Sequence, residues 1–173
     1  MEKIRFYDEA AHLFYKKNEF SSYPITSLDL FAPYFESFCG SLRDSAKLEK
    51  ISQREKWKNT HNFQNEFLDR EHVVLVTDSS LNIVYASESI YFMNGYKPHE
   101  IIGKKPKMFQ GRETCKKTTK EVSVAIQNQR PFEVVLTNYR KNGTAYQCWI
   151  KGYPVLDASG KLVNFIAFEK EVA

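Results

Sequence analysis

The chain is poor in cysteine and histidine, and none of it stays apolar for long. Its 3 cysteines, Cys39, Cys115 and Cys148, are far apart in 173 residues. An odd, scattered set does not read as a disulfide framework and points to reduced thiols. The histidines are His12, His61, His72 and His99. None pairs with a cysteine or another histidine at metal-ligand spacing, so no metal site is expected. No run of about 18 apolar residues occurs, which excludes a membrane-spanning helix. The opening MEKIRFYDEA is too charged for a signal peptide, so a cytoplasmic location is expected. There is no Gly-x-Ser-x-Gly and no phosphate-cradling glycine loop. No catalytic residue is assigned, and the chain reads as a non-enzyme.

What is present suits a folded domain. Apolar residues make up 42% and charged residues 27%, with 13 Phe and 10 Tyr to build a core. The net charge of +4 is mild and is no nucleic-acid signature by itself. Two regions differ in pattern. Residues 1–71 read as a helical extension, and residues 72–173 as short strands around a helical middle. In the first region Ser27 is placed to cap a helix. Leu28, Phe31, Phe35, Phe38 and Leu42 recur at spacings of three and four, on one helical face. A further helix is expected to carry Trp57, Phe63, Phe67 and Leu68 into the first strand.

The second region alternates more tightly. Val73 to Val76 reads as a strand, Asp78-Ser79-Ser80 as a turn, and Asn82 to Tyr85 as a strand. Ile90 and Met93 share a small helix. Pro98 suits the first turn of another, ending at Gly103. A longer helix starting near Glu113 carries Val122, Val124, Ala125 and Ile126. Three strands follow: Phe132 to Tyr139, Thr144 to Tyr153, and Leu162 to Val172. Asn142-Gly143 and Asp157 to Gly160 supply the turns between them. The fold class is therefore α+β, a five-stranded antiparallel sheet with helices on one face.

Particular residues sharpen that reading. Tyr85-Ala86-Ser87, Asn94-Gly95-Tyr96 and Ile101-Ile102-Gly103 are followed by Phe109-Gln110-Gly111 and Glu113-Thr114. Asn138 to Gly143, Pro154, Asp157, Gly160 and Phe165-Ile166 complete the series. In this order and spacing they resemble the PAS fold, and within it the light-oxygen-voltage (LOV) branch. That resemblance implies a sensory domain that holds flavin mononucleotide (FMN). In the branch, a cysteine after Gly-x-Asn bonds to the flavin on blue-light excitation. Here the segment is Gly103-Lys104-Lys105-Pro106-Lys107, with Pro106 at the cysteine position and Lys105 at the asparagine. Only a thiol or thiolate forms that adduct, so adduct photochemistry is not expected.

The flavin contacts implied by the resemblance are only partly present. Gln110 and Asn138 are kept. Lys107 stands for one phosphate arginine, retaining the charge without the bidentate fork. Ser123 stands for the other arginine. Cys148 replaces a ring-edge asparagine, and Glu169 a ring-edge glutamine. An ionised carboxylate only accepts hydrogen bonds, whereas an amide also donates. Glu169 would have to be protonated to face a flavin edge.

The expected cofactor is therefore none. The candidate cofactor-binding residues are Asn138, Gln110, Lys107, Cys148 and Glu169. The function expected is a sensory or regulatory module that acts through ligand binding or protein association. The alternative is an FMN-binding photoreceptor or redox sensor without adduct formation. Phe31, Phe35, Phe38 and Leu42 read either as the stripe where signalling partners, a second copy or another protein, would meet the N-terminal helices, or as the face that packs those helices onto the domain as a cap. The basic stretch Lys104, Lys105, Lys107, Arg112, Lys116, Lys117 and Lys120 reads first as a solvated face. It lacks the aromatic interleaving that nucleic-acid binding would need.

Overall fold

The computed structural model describes residues 28–58 and 72–172. The chain divides into two compact units. One comprises Met1–Lys50 with Asn62–Arg70, the other Ile51–His61 with Glu71–Ala173. Helix α1 spans Leu28–Arg54. Its residues Leu42, Asp44 and Leu48 are buried. Ser27, Phe63, Phe67, Leu68 and the side chains of Phe31, Phe35 and Phe38 lie outside the described residues.

The expected helix through Trp57 is not what forms there. Lys56 takes a left-handed conformation at φ 54°. The amide of Trp57 then donates back to the Ser52 carbonyl at 2.9 Å, and that of Lys56 to Gln53 at 3.3 Å. This pair of bonds is a Schellman stop, which closes a helix by consuming its last free carbonyls. Trp57 leaves the helix and bridges Asp157 in the other half of the unit. Its indole N–H donates to Asn164 Oδ1 at 2.8 Å.

The second unit is built on five antiparallel strands: β1 (Val73–Asp78), β2 (Ile83–Ala86), β3 (Phe132–Tyr139), β4 (Ala145–Leu156) and β5 (Leu162–Val172). Their order across the sheet is β2-β1-β5-β4-β3, so the first and last strands lie side by side. Between β2 and β3 run α2 (Ile90–Asn94), α3 (Pro98–Ile101), a 3-10 turn (Pro106–Phe109) and α4 (Lys116–Gln127). The strands and helices follow the expected order. The long helix starts later than Glu113 because residues 111–114 are tied to the sheet first. Glu113 donates its amide to the Tyr139 hydroxyl at 2.9 Å, and the Thr114 hydroxyl donates to the Thr137 carbonyl at 2.6 Å.

The core lies between sheet and helices. Val73, Leu75, Ile83, Ile90, Ile101 and Phe109 fill it, with Tyr146 and Cys148 from β4. Two residues of the β3–β4 hairpin brace α2 and α3. The Arg140 guanidinium donates to the Met93 carbonyl and pairs with Glu171, while Lys141 pairs with Glu100.

Candidate functional site

Strand alternation decides which side chains face the helices. Val73, Leu75 and Thr77 are alternate residues of β1, and β5 pairs them with Glu169, Ala167 and Phe165. On β4 the alternation aims Tyr146, Cys148, Ile150 and Gly152 the same way, and on β3 it aims Phe132, Leu136 and Asn138. The 3-10 turn closes this space from the side. Pro106 suits its first position, and Lys105 before it is extended, as a residue preceding proline must be. Gln110, just after the turn, forms a bridge to Asn138.

These elements enclose a cavity of about 100 Å³. Leu75, Phe109, Val122, Ile126, Leu136 and Ile150 give it mainly apolar walls, and Thr77, Gln110, Asn138 and Glu169 add polar groups. Pro106 is part of the wall. Sites for drug-sized ligands usually run about 300–1,000 Å³. The reason for the small volume is visible at Gly152. A methyl carbon built there would stand 2.3 Å from Phe132 Cζ, so the phenyl ring lies directly on the glycine backbone. Gly152 is the concession that lets Phe132 occupy the cavity floor.

At one end the polar groups form a buried cluster. Glu169 is 3% exposed, and burial pushes its carboxyl up to about 7. Its partner is the Cys148 thiol, 3.9 Å from Oε2. Cys148 is itself fully buried, and its thiol is pushed far up, first by burial and then by Glu169. The Tyr146 hydroxyl is pushed up too, mainly by burial, with Cys148 and Glu169 acting in the same sense. The amides of Asn94 and Asn138 act oppositely on it. Asn94 Nδ2, Tyr146 Oη and, at the far end, Thr77 Oγ1 are buried without completing a hydrogen bond. A thiol this buried and this basic in character stays protonated, so the cluster holds no ready nucleophile.

The residues expected at the site divide. Gln110, Asn138 and Glu169 line the cavity. Cys148 sits behind Glu169 as a core residue. Lys107 is exposed and does not line the cavity. Ser123 is exposed, with its hydroxyl donating to the Thr119 carbonyl at 2.8 Å. Thr77, Phe132 and Gly152 were not expected. Thr77 could have been found as the third alternate position of an otherwise apolar strand, and Gly152 as a glycine inside one. Cys115 is exposed at the start of α4. Its thiol is lowered chiefly by the Thr118 hydroxyl and by backbone amides, not by its lysine neighbours. Among the described residues no group of His, Cys, Asp and Glu could hold a metal.

Comparison with known proteins agrees with this fold. The PAS domain family matches residues 70–172. Phototropin-2 of Oryza sativa subsp. japonica is 34% identical over 91 residues, which are 53% of this chain and 10% of that protein. Protein TWIN LOV 1 of Arabidopsis thaliana is 34% identical over 106 residues, 59% of this chain and 27% of that one. The chain thus spans only a minor part of these relatives. Among solved structures, one described as a flavin analogue shedding light on the light-oxygen-voltage domain mechanism superimposes with a TM-score of 0.61 at 26% identity. It covers 65% of this chain and 86% of its own. The light-state LOV domain of the blue-light photoreceptor Aureochrome1 gives 0.58 at 28% identity, covering 63% and 88%.

Proposed function

The chain belongs to the PAS domain family, and from that premise we propose that it is a non-enzymatic sensor whose cavity reads a small ligand instead of a flavin. One observation carries this reading: the Phe132 ring lies on Gly152 and leaves about 100 Å³. A three-ring flavin needs several times that space. Pro106 at the cavity wall has no thiol to offer, so no cysteinyl adduct forms there. The buried Cys148 thiol is on the opposite, sheet side and is held protonated. The signal would pass to a second copy or a partner protein through the N-terminal helical region. Among the described residues no helix is long and apolar enough to cross a membrane.

The alternative is an FMN sensor working without an adduct. Gln110 and Asn138 favour it, since both line the cavity. It requires Phe132 to swing off Gly152. Titration of the protein with FMN, followed by flavin fluorescence, separates the two. The small-ligand reading expects no saturable quenching. Stoichiometric binding of FMN would overturn it.

A further inference from the structure

A buried carboxyl group is stable only when neutral, paired with a cation, or supplied with hydrogen-bond donors. Glu169 has little of this from the protein. Its one hydrogen-bonding neighbour among the described residues is the Cys148 thiol at 3.9 Å, a weak donor. None of the ion pairs among the described residues involves Glu169. The groups packed around it bring no positive charge. From β4 come Cys148 and Tyr146, both held protonated, and from β3 the neutral Asn138. Its β1 partner is Val73. The cavity walls from α4 are Val122 and Ile126.

The polar end of the cavity therefore holds a carboxyl group that no cation among the described residues balances. Beside Glu169 the amides of Asn138 and Gln110 line it, and an amide both donates and accepts. The rest of the wall is apolar, and the volume of about 100 Å³ admits a body no larger than one ring or a short alkyl chain. Building on the small-ligand reading above, we propose that the ligand is a small primary amine with an apolar body. Its ammonium group sits against Glu169, and its body lies between Leu136, Ile150 and Ile126. An ammonium has three donors and no acceptor. Those donors meet the Glu169 carboxylate, and the added positive charge compensates the buried negative one. Ammonium binding needs the ionised carboxylate. Burial keeps Glu169 protonated below about 7, so affinity rises as pH climbs through that value and falls below it.

Calorimetric titration of the full chain tests this with two matched pairs, benzylamine against benzyl alcohol and butylamine against butanol. Each alcohol has the shape of its amine without the charge. At about pH 8 at least one amine should bind one-to-one and about tenfold tighter than its alcohol, equivalent to ~1.4 kcal/mol. At about pH 6 most of that preference should vanish. The Glu169→Gln variant, checked for folding by circular dichroism, should bind amine and alcohol alike. The proposal is overturned if neither amine binds, if alcohols bind as tightly in the unmodified protein, or if the Gln variant keeps the preference. Alcohol binding without amine preference would leave the small-ligand reading standing. Saturable FMN binding would instead remove that reading itself.

Discussion

At Glu169 the fold keeps a carboxyl group 3% exposed, with one weak donor beside it. That arrangement has a sign in the stability of the protein. The folded state holds the proton up to about 7, while the unfolded chain releases it near 4.3. Between those values the unfolded state binds fewer protons, so stability falls as pH rises. Below about pH 4 the group is protonated in both states and the penalty is absent. The Glu169→Gln variant should therefore gain melting temperature over the unmodified protein at about pH 8, by up to a few kcal/mol of stability. Near pH 4 the two should nearly coincide. A gain of equal size at both pH values, measured by thermal denaturation, would mean that burial of charge is not the cause. The family resemblance named both Glu169 and Cys148 as candidates, while the structure puts Glu169 on the cavity wall and Cys148 behind it. The failure of Lys107 to line the cavity was not legible, because a residue type and its spacing do not say which way a long side chain leaves a turn. Phe132 was equally hidden. Nothing in a strand of alternating apolar residues shows that one ring lies on a glycine of the next strand.

Two elements hold a local conformation that a single substitution can test. Across the β3–β4 pair, Phe132 and Gly152 are direct partners in the register. Any β-carbon at 152 would collide with the ring. Gly152→Ala should cost about 1–3 kcal/mol in urea denaturation, as overpacking does, and the double change Gly152→Ala with Phe132→Val should recover most of it. Recovery failing would place the strain elsewhere in the sheet. The second element is the end of α1. Lys56 takes the left-handed conformation that the Schellman stop requires and that glycine adopts more cheaply. Lys56→Gly should stabilise the protein by up to about 1 kcal/mol. A loss instead would show that the Lys56 side chain has a compensating role. The strands were readable from alternation and turn residues, most clearly the Asn142-Gly143 hairpin. The helix stop was not, because its signal is a lysine where glycine is usual. That is why Trp57 looked helical from its spacing and yet is bound to Asn164 on β5.

For the molecule as a whole, the sheet order β2-β1-β5-β4-β3 and the helices between β2 and β3 carry the family identity. That level was legible because many motifs in fixed order point to one topology. The ligand was less so, since it depends on volume, and volume depends on packing. Trp57 bonds Asn164, and the Asn164 amide donates to the Thr77 carbonyl at 3.0 Å. Thr77 in turn lines the cavity. The segment after α1 is thus connected through two hydrogen bonds to a cavity residue within one unit. The proposed small-ligand sensor requires that this cavity hold no flavin. The most direct measurement is the visible absorption spectrum of the purified full chain, taken as isolated and again after incubation with FMN and desalting. A colourless protein is expected both times. A retained flavin band, changing under blue light, would contradict it.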